Sequence, residues 1–147
     1  MEQFEQIEIL LVEDNSLDAE LTIRALKHGG LANKVLWVTD GQQALDYLFR
    51  RGSYADRDET APRLVLLDLK MPRVDGIEVL RAVKADERTR QIPVVVMTSS
   101  QEEKDVARSY QLGVNSYVVK PVDFNAFADL ARQAGFYWLA INRAPSI

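Results

Sequence analysis

Short apolar runs alternate with longer amphipathic segments along most of the chain. The apolar runs are Ile7–Val12, Lys34–Val38, Leu64–Asp68, Ile92–Met97 and Ser116–Val119. Their length and their many branched side chains are typical of strands. In the segments that follow, apolar residues recur every three or four positions, as on one face of a helix. The pattern therefore predicts five strands, each followed by a helix.

The five predicted helices have recognisable ends. Their sequences are SLDAELTIRALKH, GQQALDYLFRR, DGIEVLRAVKAD, EEKDVARSYQLG and DFNAFADLARQAGFYWLAIN. Gly29-Gly30 ends the first helix and Gly113 the fourth, while Asp123 is a suitable N-cap for the last. The connection from Arg51 to Arg63 is polar and is predicted to be an exposed loop.

The strict alternation of strands and helices predicts an α/β fold. Helical crossovers between strands imply a parallel sheet that is covered on both faces. The first, third and fourth strands are continuously apolar, as expected for central strands, whereas the second and fifth are less apolar and suit the edges. We therefore predict a doubly wound, five-stranded parallel sheet with the strand order 2-1-3-4-5.

Composition narrows the class of protein. The 147 residues suit one domain, and the contents of 47% hydrophobic and 27% charged residues are ordinary for globular proteins. There is no cysteine, which excludes disulfides and thiolate metal sites, and the net charge of -4 argues against nucleic-acid binding. The acidic start does not resemble a signal peptide, and no apolar stretch approaches a membrane span. We expect a cytoplasmic protein.

Polar side chains that could take part in binding or catalysis follow four of the five strands. In an open α/β sheet, ligands bind beyond the carboxyl ends of the strands, so these side chains should meet at one edge. They are Glu13 and Asp14 after the first strand, Asp68 at the end of the third, Thr98 and Ser99 after the fourth, and Lys120 before Pro121 after the fifth.

The three acids predict a metal site. Two carboxylates about 4 Å apart repel by roughly 1 kcal/mol in water and about 4 kcal/mol at an effective dielectric near 20. Three of them would need a cation to stay ionised, and Mg²⁺ is the natural partner of carboxylate and carbonyl oxygens. The alternative for Glu13 and Asp14 is capping of the next helix, although Asn15 and Ser16 can serve as caps without them.

The lysine and the threonine complete a set that suits phosphoryl transfer. Lys120 could be an ordinary surface lysine before a turn, and Thr98 could cap the fourth helix. Next to three acids, however, Lys120 can offset charge and hold an anion. A carboxylate nucleophile, Mg²⁺, a hydroxyl and a lysine are the parts needed to transfer a phosphoryl group onto a carboxylate. Asp68, on the central strand, is the candidate nucleophile.

The segment DLKMPRVDG fits the pattern D-x-x-M-P-x-x-D-G that surrounds the phosphorylated aspartate of response-regulator receiver domains. Together with the acidic pair, the threonine and the Lys-Pro step, it makes the chain from about Ile7 to Leu139 resemble this family. The resemblance implies a flavodoxin-like receiver fold, with a single domain over 1–147 and a core of about 7–142. It also implies a non-enzymatic switch that accepts a phosphoryl group from a sensor histidine kinase on Asp68 and loses it slowly.

The resemblance implies a role for each site residue. The metal would be bound by Glu13 (directly or through water), Asp14, Asp68 and the backbone carbonyl of Lys70. The phosphoryl group would be bound by Thr98, Ser99 and Lys120. Thr98 and Tyr117 would act as switch residues, and the Lys120–Pro121 peptide bond would be cis.

The loop from Arg51 to Arg63, the preceding YLFRRG and the aromatic last helix resemble stand-alone regulators that serve bacterial phytochrome-type kinases. After Lys120 only 27 residues remain (147 minus 120), too few for an output domain, so we expect output through protein contacts.

A contact surface can be predicted on the fourth helix, fifth strand and fifth helix. A helical wheel places one apolar stripe of the last helix in the core; the stripe contains Phe124, Phe127, Ala131, Ala134, Trp138 and Ile141. Phe136 and Leu139 fall outside this stripe. With Tyr110 and Tyr117 they are candidates for an interface with a partner or a second copy.

Three other functions would fit the same topology. A flavin-binding protein would need a glycine- and hydroxyl-rich loop after the first strand, where this chain has Glu13-Asp14-Asn15. An aspartate phosphatase would usually have a second acid two residues after the nucleophile, where this chain has Lys70. A receiver-like module that is never phosphorylated would be expected to have a degenerate site. A phosphate sink without a downstream partner stays open.

Overall fold

The computed structural model describes residues 7–28, 34–58, 60–71 and 73–143. The strands are β1 (Ile9–Val12), β2 (Val35–Val38), β3 (Leu64–Leu67), β4 (Val94–Thr98) and β5 (Ser116–Val119). The α-helices are α1 (Ser16–His28), α2 (Gly41–Leu48), α3 (Gly76–Ala85), α4 (Glu103–Gln111) and α5 (Phe124–Phe136). The predicted alternation is confirmed, while Gly29-Gly30 lies outside the described residues.

The sheet has the predicted parallel order β2-β1-β3-β4-β5. In its register Val12 lies beside Val38 on one side and Leu67 on the other. Every residue of β1, β3 and β4 is buried, whereas β2 and β5 are mostly half-buried, as expected for edge strands. Because all five strands are parallel, their carboxyl ends meet at one edge.

Successive residues of the strands point to opposite faces of the sheet and contribute to two hydrophobic layers. One set, including Leu10 and Val65, packs with residues of α2 and α3. The other set, including Leu11 and Leu66, faces residues of α1, and α5 packs along α1. Each fully buried aliphatic side chain contributes about 1.5–3 kcal/mol, so the central strands supply a rigid base for the loops at their carboxyl ends.

The connection from Arg51 to Arg63 is mostly exposed, as predicted, and contains a 3-10 turn at Gly52–Tyr54. Its anchor is Arg57, whose guanidinium donates hydrogen bonds to the backbone carbonyls of Tyr47 and Leu48. These carbonyls belong to the last turn of α2, where backbone carbonyls have no hydrogen-bond donor within the helix.

The last helix departs from the prediction. After α5 the chain continues in a π-helical turn, Tyr137–Ile141, closed by a bond from the amide of Asn142 to the carbonyl of Tyr137. The wider turn rotates later residues away from the positions that 3.6 residues per turn would give them. Leu139 is therefore buried, at 6% exposure, and Ile141 is 59% exposed. The predictions that Leu139 faces outward and that Ile141 belongs to the core were wrong.

Two other predictions for this helix can be compared with the structure. Phe127 and Ala131 are buried, as predicted. Phe124, the first residue of α5, is 56% exposed, so the buried stripe begins one turn later than expected. In the described part of the chain, no helix has the length and apolar character needed to cross a membrane.

Candidate functional site

The segment that follows β3 is shaped by close backbone packing. The carboxylate of Asp75 caps α3 by accepting a hydrogen bond from the amide of Glu78 at 3.0 Å. The amide of Gly76 donates to the carbonyl of Leu69 at 2.9 Å. A Cβ on Gly76 would lie 2.2 Å from the carbonyl oxygen of Asp68. Only glycine therefore lets α3 begin against the backbone of Asp68, which explains the Asp-Gly pair of the motif.

Three carboxylates meet at the carboxyl edge of the sheet, as predicted. Glu13, Asp14 and Asp68 each offer a carboxylate oxygen, and these oxygens lie within 4.8 Å of one another. Glu13 and Asp68 are buried, whereas Asp14 is exposed. Oxygen ligands on a rigid edge, with one side open to water, fit a hard divalent cation such as Mg²⁺. The three acids do come together as predicted, and their cluster is the candidate site for the divalent cation.

Lys120 reaches into the same cluster from the end of β5. Its Nζ donates to a carboxylate oxygen of Glu13, to Asp18 at 2.9 Å and to Asp68 at 3.2 Å. The lysine side chain is only 7% exposed, so these carboxylates compensate for the loss of its hydration.

Sequence reasoning missed Asp18. It lies in the first turn of α1, where an acidic residue is ordinary because it favours the positive end of the helix dipole. The available signal was its position: α1 starts directly after Glu13 and Asp14, so its first turn borders the same edge of the sheet.

Burial and charge oppose each other in the pair formed by Glu13 and Lys120. Burial raises the pKa of Glu13 above its ordinary range, against the hydrogen bond from Lys120, and the charge of Asp68 adds to the rise. Burial alone would lower the pKa of Lys120, but hydrogen bonds to Glu13 and Asp18 raise it above its usual range. The cluster therefore contains more negative charge than one ammonium balances.

Pairing of β4 with β5 places Thr98 beside Lys120. The amide of Lys120 donates to the carbonyl of Thr98 at 2.7 Å, and Thr98 is fully buried at the end of β4. Ser99, the next residue, is exposed. The backbones of the two residues predicted to supply the hydroxyl and the ammonium are thus hydrogen-bonded to each other.

A chain of hydrogen bonds links the predicted switch residue Tyr117 to the loop after β4. The hydroxyl of Tyr117 donates to the carbonyl of Ser100 at 3.0 Å. The hydroxyl of Ser100 donates to a carboxylate oxygen of Asp105 at 2.6 Å, and Nζ of Lys70 lies 3.3 Å from that oxygen. The amide of Lys70 also donates to Asp68, at 3.3 Å.

The Lys120–Pro121 peptide bond is trans, so the predicted cis isomer was wrong. Trans is the intrinsically preferred isomer even before proline, by about 0.5–1 kcal/mol. In the trans form the ammonium of Lys120 already reaches Asp68, at 3.2 Å. Placing the lysine in the cluster thus gives no reason for the less stable isomer.

Comparison with known proteins adds family evidence to this geometry. The protein-family model of the response regulator receiver domain matches residues 9–132. The probable methanogenesis regulatory protein FilR2 of Methanothrix harundinacea is 44% identical over 137 residues, which cover 93% of this chain and 86% of FilR2.

Two solved structures are also similar. The phosphorylated cyanobacterial phytochrome response regulator RcpA superposes with a TM-score of 0.90 at 37% identity, over 97% of this chain and 100% of RcpA. The bacteriophytochrome response regulator RtBRR superposes with a TM-score of 0.76 at 51% identity, over 96% of this chain and 82% of RtBRR.

The family match, the sheet order and the acidic cluster with its lysine agree with one another. They confirm the predicted family and the predicted similarity to phytochrome-associated regulators. The chain belongs to the response regulator receiver domains of two-component signalling.

Proposed function

We propose that this receiver domain accepts a phosphoryl group on Asp68 from a phosphohistidine of a sensor histidine kinase and passes the signal to another protein. The observation that carries the proposal is the setting of Asp68. Asp68 is 7% exposed, and its carboxylate lies within the acidic cluster and accepts a hydrogen bond from Nζ of Lys120 at 3.2 Å. A carboxylate so placed is oriented for attack, and the charge that builds up on the transferred group has a cation beside it.

In the proposed transfer, an oxygen of Asp68 forms a bond to phosphorus. The bond from phosphorus to the histidine nitrogen breaks, and that nitrogen keeps the electron pair and takes a proton from solvent water. Lys120 would then move part of its hydrogen bonding from Asp68 to the phosphoryl oxygens. Thr98 would donate its hydroxyl from the neighbouring strand, and Ser99 would contact the group from the solvent side.

The residues that would hold Mg²⁺ are Asp14, Asp68, the backbone carbonyl of Lys70 and Glu13. A bound Mg²⁺ would neutralise negative charge on the phosphoryl oxygens. One carboxylate oxygen of Glu13 is bonded to Lys120, and the other accepts the amide of Asn15 at 3.2 Å. Because both oxygens are engaged, we infer that Glu13 would reach the metal through water.

The proposed output surface combines α4, β5 and α5. Phosphorylation would draw Thr98 toward the new group, and Tyr117 would follow because its hydroxyl is bonded to the loop after β4. Tyr110 and Phe136, 53% and 50% exposed, are the apolar contacts that this surface offers to a partner or a second copy. The buried Leu139 is no longer part of it.

We infer that the donor kinase is of the phytochrome type. The support is the 51% identity with the bacteriophytochrome response regulator RtBRR and the close superposition with RcpA. FilR2, at 44% identity, carries a name that refers to methanogenesis, so the input also needs a direct test. Transfer from a phytochrome-type kinase labelled with phosphate, compared with transfer from an unrelated kinase, measures this preference.

The test of the central step uses acetyl phosphate as the donor and intact mass spectrometry as the readout. We expect one phosphoryl adduct that requires Mg²⁺ and is lost in Asp68→Asn. Asp129→Asn is the matched control, since Asp129 is an exposed acid that pairs with Arg132 on α5. An adduct that persists in Asp68→Asn would contradict the proposal.

A further inference from the structure

One carboxylate on α4 binds two side chains that border the proposed phosphorylation site at Asp68. An oxygen of Asp105 accepts a hydrogen bond from the hydroxyl of Ser100 at 2.6 Å and lies 3.3 Å from Nζ of Lys70. Lys70 is two residues past Asp68, and Ser100 is two residues past Thr98. Asp105 therefore connects the loop after β3 with the loop after β4.

The position of Asp105 is unusual for a surface helix. Its residue exposure is 8%, whereas its neighbours Glu102 and Glu103 at the start of α4 are exposed. Asp105 is the third residue of α4, so its carboxylate does not occupy the N-cap position. The contacts with Ser100 and Lys70 are what compensate for the burial of this charge.

The ion pair lies on the wall of an open cleft. The cleft has a volume of about 580 Å³ and is lined by Lys70, Asp105 and the proposed metal ligand Asp14, among others. The side chain of Lys70 is 61% exposed, so it can exchange partners without disturbing the core. The cleft gives water a route to the site around Asp68. Lys70 is the cation of its wall that lies two residues from Asp68, and Arg81 and Arg108 also line the cleft.

We propose that Asp105 is a positioning residue that shortens the lifetime of the phosphoryl group by holding the ammonium of Lys70 away from it. The inference rests on the proposed function. A phosphoryl group on Asp68 would compete for this ammonium, because charge-assisted bonds to phosphate are strong. While Lys70 stays on Asp105, the side of the phosphoryl group that faces the cleft remains open to water.

The step that Lys70 would obstruct is hydrolysis. A water oxygen forms a bond to phosphorus, and the bond from phosphorus to the Asp68 oxygen breaks. Dihydrogen phosphate leaves with both protons of the water, and the carboxylate of Asp68 is restored. An ammonium paired with the phosphoryl oxygens would occupy the space through which the water approaches.

The test measures the half-life of the adduct after loading with acetyl phosphate and Mg²⁺, by intact mass spectrometry over time. Asp105→Asn keeps the shape and the acceptor for Ser100 but removes the charge. We expect a roughly two- to five-fold longer half-life, the range that a partly exposed ion pair supports. Glu103→Gln, which removes an exposed acid from the same turn, should leave the half-life unchanged.

A double-mutant cycle separates this role from a merely structural one. In a Lys70→Met background, Asp105→Asn should no longer lengthen the half-life, because the ammonium is absent. Asp105→Ser, which removes the charge with a smaller side chain, should act in the same direction as Asp105→Asn. Asp105→Glu, which keeps the charge, should stay close to the wild type.

Three results would overturn the inference. An unchanged or shorter half-life in both neutral variants would show that Asp105 does not hold Lys70 away. A longer half-life that persists in the Lys70→Met background would show an effect that bypasses Lys70. Absence of any adduct on the wild-type protein would remove the proposed function itself, a result distinct from the other two.

Discussion

Each end of the sheet has a lysine that is held by several hydrogen bonds, and the two ammonium groups have different partners. At the amino end, Nζ of Lys84 donates to the carbonyls of Arg90 and Ile92 and to the side-chain oxygen of Asn115, at 2.9–3.0 Å. At the carboxyl end, the partners that the described residues offer to Nζ of Lys120 are all carboxylates. Burial lowers the pKa of Lys84, whereas at Lys120 hydrogen bonds to carboxylates outweigh burial and raise the pKa.

The difference separates a structural lysine from one suited to chemistry. The partners of Lys84 are neutral, so it joins α3 to the start of β4 and to the residues before β5 without drawing carboxylates to that end. Around Lys120 stand the carboxylates of Glu13, Asp18 and Asp68, with Asp14 nearby. One ammonium cannot balance four acids, so the carboxyl end keeps the surplus negative charge that the proposed cation site requires.

The largest expected effect is on phosphorylation when Lys120 is changed. Lys120→Met removes the cation beside Asp68, and loss of one such electrostatic contact lowers rates by about 10²–10³-fold. Adduct formation from acetyl phosphate at saturating Mg²⁺ measures the rate. Lys84→Met is the matched control and should react like the wild type. Equal rates for both variants would erase the distinction between the two lysines.

Lys84→Met should affect stability instead. Two backbone carbonyls and Asn115 lose a donor, and because these acceptors are exposed or only partly buried, the expected loss is that of an ordinary hydrogen bond, about 0.5–1.5 kcal/mol. Urea unfolding should show a lower free energy of unfolding with an unchanged slope. A variant as stable as the wild type would mean that these bonds do not hold the amino end together.

Mg²⁺ should stabilise the folded protein through the acidic cluster. At a free concentration ten times its dissociation constant, the gain is about 1.4 kcal/mol, which a thermal melt detects. Asp14→Asn should remove most of this gain, and because Asp14 is exposed, the fold should tolerate the change. Glu20→Gln, an exposed acid that pairs with Arg24, is the control. An Asp14→Asn protein with the full Mg²⁺ response would place the ion elsewhere.

The smallest expected effect concerns the surface pair formed by Asp86 and Arg88. Hydrogen bonds from Arg88 lower the pKa of Asp86 to about 2. Because the folded pKa lies below the unfolded value of about 3.9, the pair contributes stability at neutral pH that is lost as the pH falls from about 4 to 2. NMR titration of the Asp86 carboxyl measures this pKa. A midpoint near 4 would contradict the pairing.

Much of this structure could be predicted from the order of elements. Alternating apolar runs determine a parallel sheet, and parallel strands necessarily bring Asp14, Asp68 and Lys120 to one edge. The π-helical turn could not be predicted, because FYWLAI continues the helical pattern without a proline or glycine. Leu139 was misplaced for that reason.

The contacts of Asp18 and Asp105 could not be predicted from the sequence either. Both are acids on exposed-looking helices, and their partners lie 102 and 35 residues away in Lys120 and Lys70 (120 minus 18 and 105 minus 70). Pairing over such distances depends on how the loops pack. The cis Lys120–Pro121 bond was predicted from the family resemblance, and the trans bond shows that such a feature need not appear in this chain.

Phosphorylation of Asp68 can be tested directly by locating the phosphoryl group in the chain. After acetyl phosphate treatment, borohydride reduces an aspartyl phosphate to homoserine, and tandem mass spectrometry of the peptides identifies the position. We expect homoserine at position 68 alone, and only when Mg²⁺ is present during loading. Homoserine at position 14 or 18, or a phosphoryl group on another residue type, would contradict this expectation.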